Sequence, residues 1–234
     1  PRPTDGPNRG GAMASSAIRG GADLVVALGG DGTINEIAQG MVGSRVPLAF
    51  LPGGTANVLC CETGIGTNLP RAAQRLIQCV EERVSVGRFE PQQGDPRYFL
   101  AMAGVGLDAA IVEKVSLPLK KATGKFAYWV GGFQQAFARL EPFRAAQNGS
   151  GASYGFALLS RVRNYGGDMA LALDASLLDP DFQAVTFRSS QSWHYLFYMA
   201  TVAVRQHLRM PGVHAKRTSG LELVPVNGGA VPVQ

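Results

Sequence analysis

The stretch Asp23-Leu24-Val25-Val26-Ala27-Leu28-Gly29-Gly30-Asp31-Gly32-Thr33 decides the fold of this chain. An unbroken apolar run ending in paired glycines is the pattern of a strand buried on both faces of a parallel sheet. Downstream, Ile34, Ile37, Ala38 and Met41 recur at i, i+3, i+4 and i+7, which predicts an amphipathic helix. Thr33-Ile34-Asn35-Glu36 is a capping-box pattern and sets the helix start at Thr33, while Gly40 and Gly43 end it.

The same unit then recurs. Pro47 to Leu51 is a second strand, Pro52-Gly53-Gly54 a second glycine loop, and Thr55 the N-cap of a helix over Ala56 to Glu62. A strand–helix–strand crossover of this length makes the strands parallel, so both glycine loops fall at the carboxyl edge of one sheet. Two helix N-termini can then converge on one anion. Leu69, Ala72, Ala73, Leu76, Ile77 and Val80 continue as a helical stripe and close the α/β region near residue 82.

From Val84 onward the texture changes. Segments such as 98–102, 154–159, 169–173 and 183–187 lie between turns rich in Gly, Pro and Asn, which predicts an antiparallel β domain. Helical patterns interrupt it near 108–115, 126–140 and 193–208, and 221–226 with 230–233 form a hairpin around Asn227-Gly228-Gly229. The expected organisation is therefore a Rossmann-like α/β domain with a parallel sheet over residues 1–83 and an antiparallel β-sandwich over 84–234.

Composition narrows the function classes. With 46% hydrophobic and 17% charged residues the 234-residue chain is globular, not disordered. Its longest apolar run, Trp193 to Val204, is shorter than a membrane span. Cys60, Cys61 and Cys79 are odd in number and lack metal-ligand spacing, so a disulfide scaffold and a zinc site are poor readings and a reducing cytoplasm is expected. A net charge of +5 suits phosphate, anionic lipid or nucleic acid alike.

The chemistry concentrates on the glycine loops. Gly29-Gly30-Asp31-Gly32-Thr33 offers consecutive unobstructed backbone N–H groups at a helix N-terminus, a cradle for phosphate. A βα turn whose glycines merely let the helix pack closely is the plainer alternative. Asp31 inside such a loop repels phosphate unless a cation intervenes, for which Mg²⁺ is the natural candidate; otherwise it closes an Asx-turn. Pro52-Gly53-Gly54-Thr55-Ala56-Asn57 adds a hydroxyl and an amide at the same edge.

These two loops together resemble the diacylglycerol kinase catalytic-domain family, which includes bacterial lipid, sphingosine and ceramide kinases and is related to NAD kinases. The resemblance extends through Phe99 to Asp108, Lys121 to Tyr128, and Asn164-Tyr165-Gly166-Gly167 with Ala175 and Asp179. It implies an ATP- and Mg²⁺-dependent enzyme that transfers the γ-phosphate to a lipid hydroxyl, diacylglycerol first, giving phosphatidic acid. A sphingoid-base kinase, an NAD kinase, or a catalytically impaired nucleotide- or lipid-binding module of the same fold are the alternatives. Carried over residue by residue, Thr4, Gly29, Gly30, Asp31, Gly32, Thr33, Asn35, Gly54, Thr55 and Asn57 would hold the nucleotide. Asp31 would also bind Mg²⁺ or assist proton removal. A structural Mg²⁺ would fall on Ser176, Asp179 and Asp181, although Asp179-Pro180 stands where the family has Asp-Gly, and Asp174 where it has Pro.

By the same resemblance, a first strand before Thr4 and an Asp-Gly-Glu base after Gln234 are missing. The chain is thus expected to be a core fragment of low activity. The implied partners are a lipid substrate at a membrane surface and ATP, with no nucleic acid. The localisation is cytoplasmic and peripheral to the membrane, and an exposed edge of the β domain offers a homodimer site.

Five further features have plain readings. Trp129, Phe133 and Phe137 form a helical stripe that reads as core, and Lys114, Lys120, Lys121 and Lys125 face solvent or anionic lipid. Arg161 and Arg163 alternate on a presumed strand and share its surface. His194, His207 and His214 lack ligand spacing, and the pair Cys60-Cys61 reads as buried small hydrophobes.

Overall fold

The computed structural model describes residues 1–4, 6–106, 142–145, 153–166, 169–188, 193–226 and 233. The chain divides into two compact units, Pro1–Ala101 and Met102–Gln234.

The first unit runs through helix α1 (Gly10–Arg19), strand β1 (Val25–Gly29), helix α2 (Asp31–Gln39), β2 (Leu48–Pro52), α3 (Val58–Glu62) and α4 (Leu69–Leu76). It ends in a hairpin of β3 (Gly87–Phe89) and β4 (Arg97–Phe99). β1 and β2 pair in parallel, from Val25 opposite Leu48 to Gly29 opposite Pro52, as the crossover rule requires. Ile34 and Ala38 of α2 and Ala27 of β1 are buried, while Phe50 and Leu51 of β2 pack on Cys60, Ile65 and Ala72. α1 and α2 cross in backbone contact, since a methyl group at Gly40 would overlap the Gly11 carbonyl.

Three local expectations change. β1 is covered on the Ala27 face, whereas Val26 and Leu28 are 47% and 60% exposed, because no described element lies over them. α2 starts at Asp31 rather than Thr33: Gly30 is extended, and its carbonyl accepts the Ile34 N–H. Glu36 makes no capping box and instead accepts the Gly10 N–H. α4 stops at Leu76, leaving Ile77 and Val80 more than four-fifths exposed.

The hairpin is fastened to α2 by side-chain amides. Gln39 exchanges two hydrogen bonds with the Tyr98 backbone, at 2.7 and 2.9 Å. Asn35 donates to the Tyr98 carbonyl and accepts the Leu100 N–H, at 3.2 and 3.1 Å.

The second unit contains β5 (Met102–Gly106), β6 (Phe143–Ala145), β7 (Ser153–Tyr154), β8 (Phe156–Ser160), β9 (Asn164–Gly166), β10 (Met169–Ala170) and β11 (Phe182–Phe187). Helix α5 (Trp193–Ala203), a 3₁₀ turn (His207–Arg209), β12 (Val213–Thr218) and β13 (Leu223–Pro225) follow. A four-stranded antiparallel sheet has the order β12-β11-β8-β5, and a three-stranded one β13-β6-β7. Alternation along β8 builds a core on each face. Phe156 and Leu158 pack with Val185, Phe187, Tyr198 and Val202, while Ala157 packs with Val105, Phe143 and Tyr154.

Parallel α/β followed by antiparallel sheets is the fold class the sequence predicts. The segment 98–102 nevertheless breaks at Leu100-Ala101 into β4 and β5, and 154–159 divides at Gly155 between two sheets. The 193–208 helix ends at Ala203, beside the left-handed backbone of Arg205. Residues 108–115 and 126–140, the lysine cluster and the Asn227 turn lie outside the described residues.

Candidate functional site

The two glycine loops lie at the carboxyl ends of β1 and β2 and touch through their backbones. The Gly53 N–H donates to the Gly29 carbonyl at 2.8 Å. A Cβ on Gly54 would stand 2.5 Å from the Gly30 Cα, and one on Gly30 would stand 3.1 Å from the Gly54 Cα. Glycine is therefore required by the approach of one loop to the other. At Gly32, the second residue of α2, a Cβ would meet nothing within 4 Å.

Side chains lock this arrangement. Buried Asn57 has a left-handed backbone, φ +48°, and its amide accepts the Gly54 N–H at 2.8 Å and donates to the Gly54 carbonyl at 2.9 Å. Asp31 reaches from the first loop to the second: Oδ2 accepts the Val58 N–H at 3.1 Å and Oδ1 the Leu59 N–H at 3.0 Å. Asp31 is thus the cap of α3, which begins at Val58 rather than at Ala56, and Thr55 is not its N-cap. Burial, then the neighbouring Asp31 and Cys61, push the Cys60 thiol up to about 11.

The structure brings together Gly29, Gly30, Asp31, Gly32 and Thr33 with Gly54, Thr55 and Asn57, and leaves Gly32, Gly54 and Thr55 exposed at the cradle. Asn35 turns away, its amide committed to the hairpin. Thr4 lies exposed ahead of α1. A separate cavity of about 360 Å³, lined by Asn8, Ser15, Glu36, Gln39 and Arg97 among others, lies at the α1–α2 crossing rather than on the two loops.

The two implied Mg²⁺ positions fare differently. Each Asp31 oxygen accepts one N–H and keeps a second lone pair, so the carboxylate has the chemistry to hold a hard cation. Ser176, Asp179 and Asp181 do not fit one. Ser176 Oγ accepts the Leu178 N–H, Asp179 pairs with Arg217 at 2.8 Å, and the Leu177, Asp179 and Pro180 carbonyls receive the Arg161 guanidinium. Among the described residues no group of three His, Cys, Asp or Glu could hold a metal ion.

Arg161, expected on a strand surface, is fully buried just after β8, and His207 is fully buried with Nε2 donating to the Leu171 carbonyl at 2.9 Å. The signal for Arg161 was its place at the end of the apolar strand Phe156-Ala157-Leu158-Leu159, just before Val162. His207 carried none.

The fold is similar to that of a solved diacylglycerol kinase structure from Bacillus anthracis. That fold matches over 97% of this chain and 75% of the other, with a TM-score of 0.71 at 16% identity. Residues 1–89 match the diacylglycerol kinase catalytic domain. The diacylglycerol kinase of Mycobacterium tuberculosis is 25% identical over 211 residues, 88% of this chain and 68% of the relative. That of Bacillus subtilis is 29% identical over 190 residues, 78% and 60% of the two chains. Over residues 1–89 the chain belongs to the diacylglycerol kinase catalytic domain family. Among the described residues no helix is long and apolar enough to cross a membrane.

Proposed function

We propose that this chain carries the phosphoryl-transfer machinery of an ATP- and Mg²⁺-dependent lipid kinase with diacylglycerol as acceptor, giving phosphatidic acid. The observation that carries the reading is the backbone-on-backbone contact of Gly29-Gly30 with Gly53-Gly54, which sets two exposed glycine loops at one sheet edge. The phosphates of ATP lie against the N–H groups of Gly30 to Thr33 and against Gly54 and Thr55, where the α2 dipole favours negative charge. Asn35 and Asn57 act by position, one holding the hairpin and the other the second loop. Thr4 contacts the nucleotide from ahead of α1.

Phosphoryl transfer depends on alignment and charge neutralisation more than on covalent chemistry. The carboxylate of Asp31 fixes the spacing between the loops through α3, and its remaining lone pairs would hold an Mg²⁺, which would supply charge neutralisation for the phosphates. A membrane-surface location supplies the acceptor hydroxyl.

The test is transfer of labelled γ-phosphate by the chain, with diacylglycerol, sphingosine, ceramide and NAD offered in parallel and Asp31→Ala as control. Labelled phosphatidic acid that is lost in the control supports the reading. Label on sphingosine or NAD instead reassigns the acceptor, and ATP binding without transfer to any acceptor identifies a binding module.

A further inference from the structure

The geometry points to Arg161 as a built-in structural cation: its guanidinium holds the segment Ser176–Asp181 by that segment's own carbonyl oxygens and takes the place of a metal ion. This assignment does not depend on the kinase reading.

Arg161 has no exposed surface, and a buried charge is costly unless it is paired or fully ligated. Its Nη2 donates to the Leu177 carbonyl at 2.8 Å and to the Asp179 carbonyl, and its Nη1 reaches the Pro180 carbonyl at 3.4 Å. The cationic carbon lies 5.6 Å from the centre of the Phe182 ring. Among the described residues Nε has no hydrogen-bond partner, and backbone oxygens from one turn supply the hydrogen bonds of the guanidinium.

Converging carbonyl oxygens with a nearby carboxylate are the donor set of a hard metal cation. Here the cation is covalently part of the chain. Burial works against the charge and the Asp179 carboxylate works for it. That carboxylate is also bound to Arg217 at 2.8 Å, a partly exposed pair that adds little by itself. A divalent ion on the same oxygens would stand against the guanidinium, and the carboxylate of that turn, Asp179, is already paired with Arg217. Of the residues on which the resemblance places Mg²⁺, Ser176, Asp179 and Asp181, only Asp179 gives its carbonyl to Arg161, and the guanidinium is the cation that holds this turn.

The experiment is thermal unfolding of the full chain in EDTA and in Mg²⁺, Mn²⁺ or Ca²⁺, with hydrogen exchange of the 176–181 amides and elemental analysis of the purified protein. The midpoint of the nucleotide-free wild type should agree within about 1 °C in all four conditions, and Arg161→Ala should lose roughly 5–10 °C. Exchange across 176–181 should accelerate in that variant. A wild-type midpoint that falls in EDTA, or a stoichiometric divalent ion that Asp179→Asn releases, overturns the assignment, as does a wild-type midpoint in Arg161→Ala. If Arg161→Ala does not fold, Arg161→Lys decides: a folded, partly destabilised protein supports a cationic role, and failure of both variants overturns it.

Discussion

Substituting Gly54 by alanine tests whether the contact between the glycine loops is what organises the site. The added Cβ would stand 2.5 Å from the Gly30 Cα, where ordinary contact begins at 3.4 Å, so the loops must part by about 0.9 Å. The Gly53–Gly29 hydrogen bond of 2.8 Å then stretches to about 3.7 Å and is lost. Overpacking costs about 1–3 kcal/mol and the hydrogen bond about 1 kcal/mol, so the first unit should lose about 2–4 kcal/mol. Gly32→Ala is the matched control: its Cβ meets nothing, and alanine in a helix gains up to about 1 kcal/mol over glycine. Urea unfolding followed by far-ultraviolet circular dichroism measures both, and calorimetric titration with a non-hydrolysable ATP analogue measures affinity. Gly54→Ala should be destabilised and bind at least about tenfold more weakly, a loss of about 1.4 kcal/mol. Gly32→Ala should be as stable as wild type yet also bind weakly, since its methyl faces the phosphates. A Gly54→Ala protein within about 0.5 kcal/mol of wild type refutes the loop-contact reasoning, and undiminished affinity in Gly32→Ala refutes the cradle.

Asp31→Asn retains one acceptor for the α3 cap but turns an amide donor toward the other N–H, so it should cost about 1–2 kcal/mol in urea unfolding, with exchange accelerating at Val58 and Leu59. Wild-type exchange at both amides would remove Asp31 from that cap. Cys60, held protonated to about 11 against its ordinary 9.0, keeps a proton that the unfolded chain releases. Stability should therefore fall by up to about 2 kcal/mol between pH 9 and 11, and Cys60→Ala should flatten that window. In the same samples Cys61 and Cys79, both exposed, should alkylate while Cys60 does not. Burial lowers the His207 pKa against the opposing hydrogen bond to Leu171, so its stabilising contribution is full above pH 6.5 and is lost as pH falls through the lowered folded value. Acid unfolding that His207→Asn leaves unchanged would contradict this.

Much of the first unit was legible because its signals are local. The apolar run before Gly29, the crossover length and the two glycine loops predict parallel pairing and co-location at one edge, and the strands register from Val25–Leu48 to Gly29–Pro52. Helix ends were less legible, because caps came from far along the chain. Asp31 caps a helix 27 residues away, and Glu36 meets the start of α1 26 residues upstream. Asn35 sits within the motif that resembles a nucleotide loop, yet its amide reaches Tyr98 and Leu100. Residue type alone could not divide these roles, since a carboxylate or amide serves a phosphate-bound cation and a backbone N–H equally well.

What the sequence determined by itself is whatever depends on spacing along the chain: the alternation of strand, glycine loop and helix, the change to antiparallel texture near Val84, and the family to which these motifs belong. Only the tertiary structure decided which partners the polar side chains take. Arg161 became a buried cation because three carbonyls from a turn 16 to 19 residues later close around it. The physical reason is one of range. Backbone propensity and hydrophobic period act over a few residues, whereas the desolvation of a charge is settled by atoms that meet only after the chain has folded.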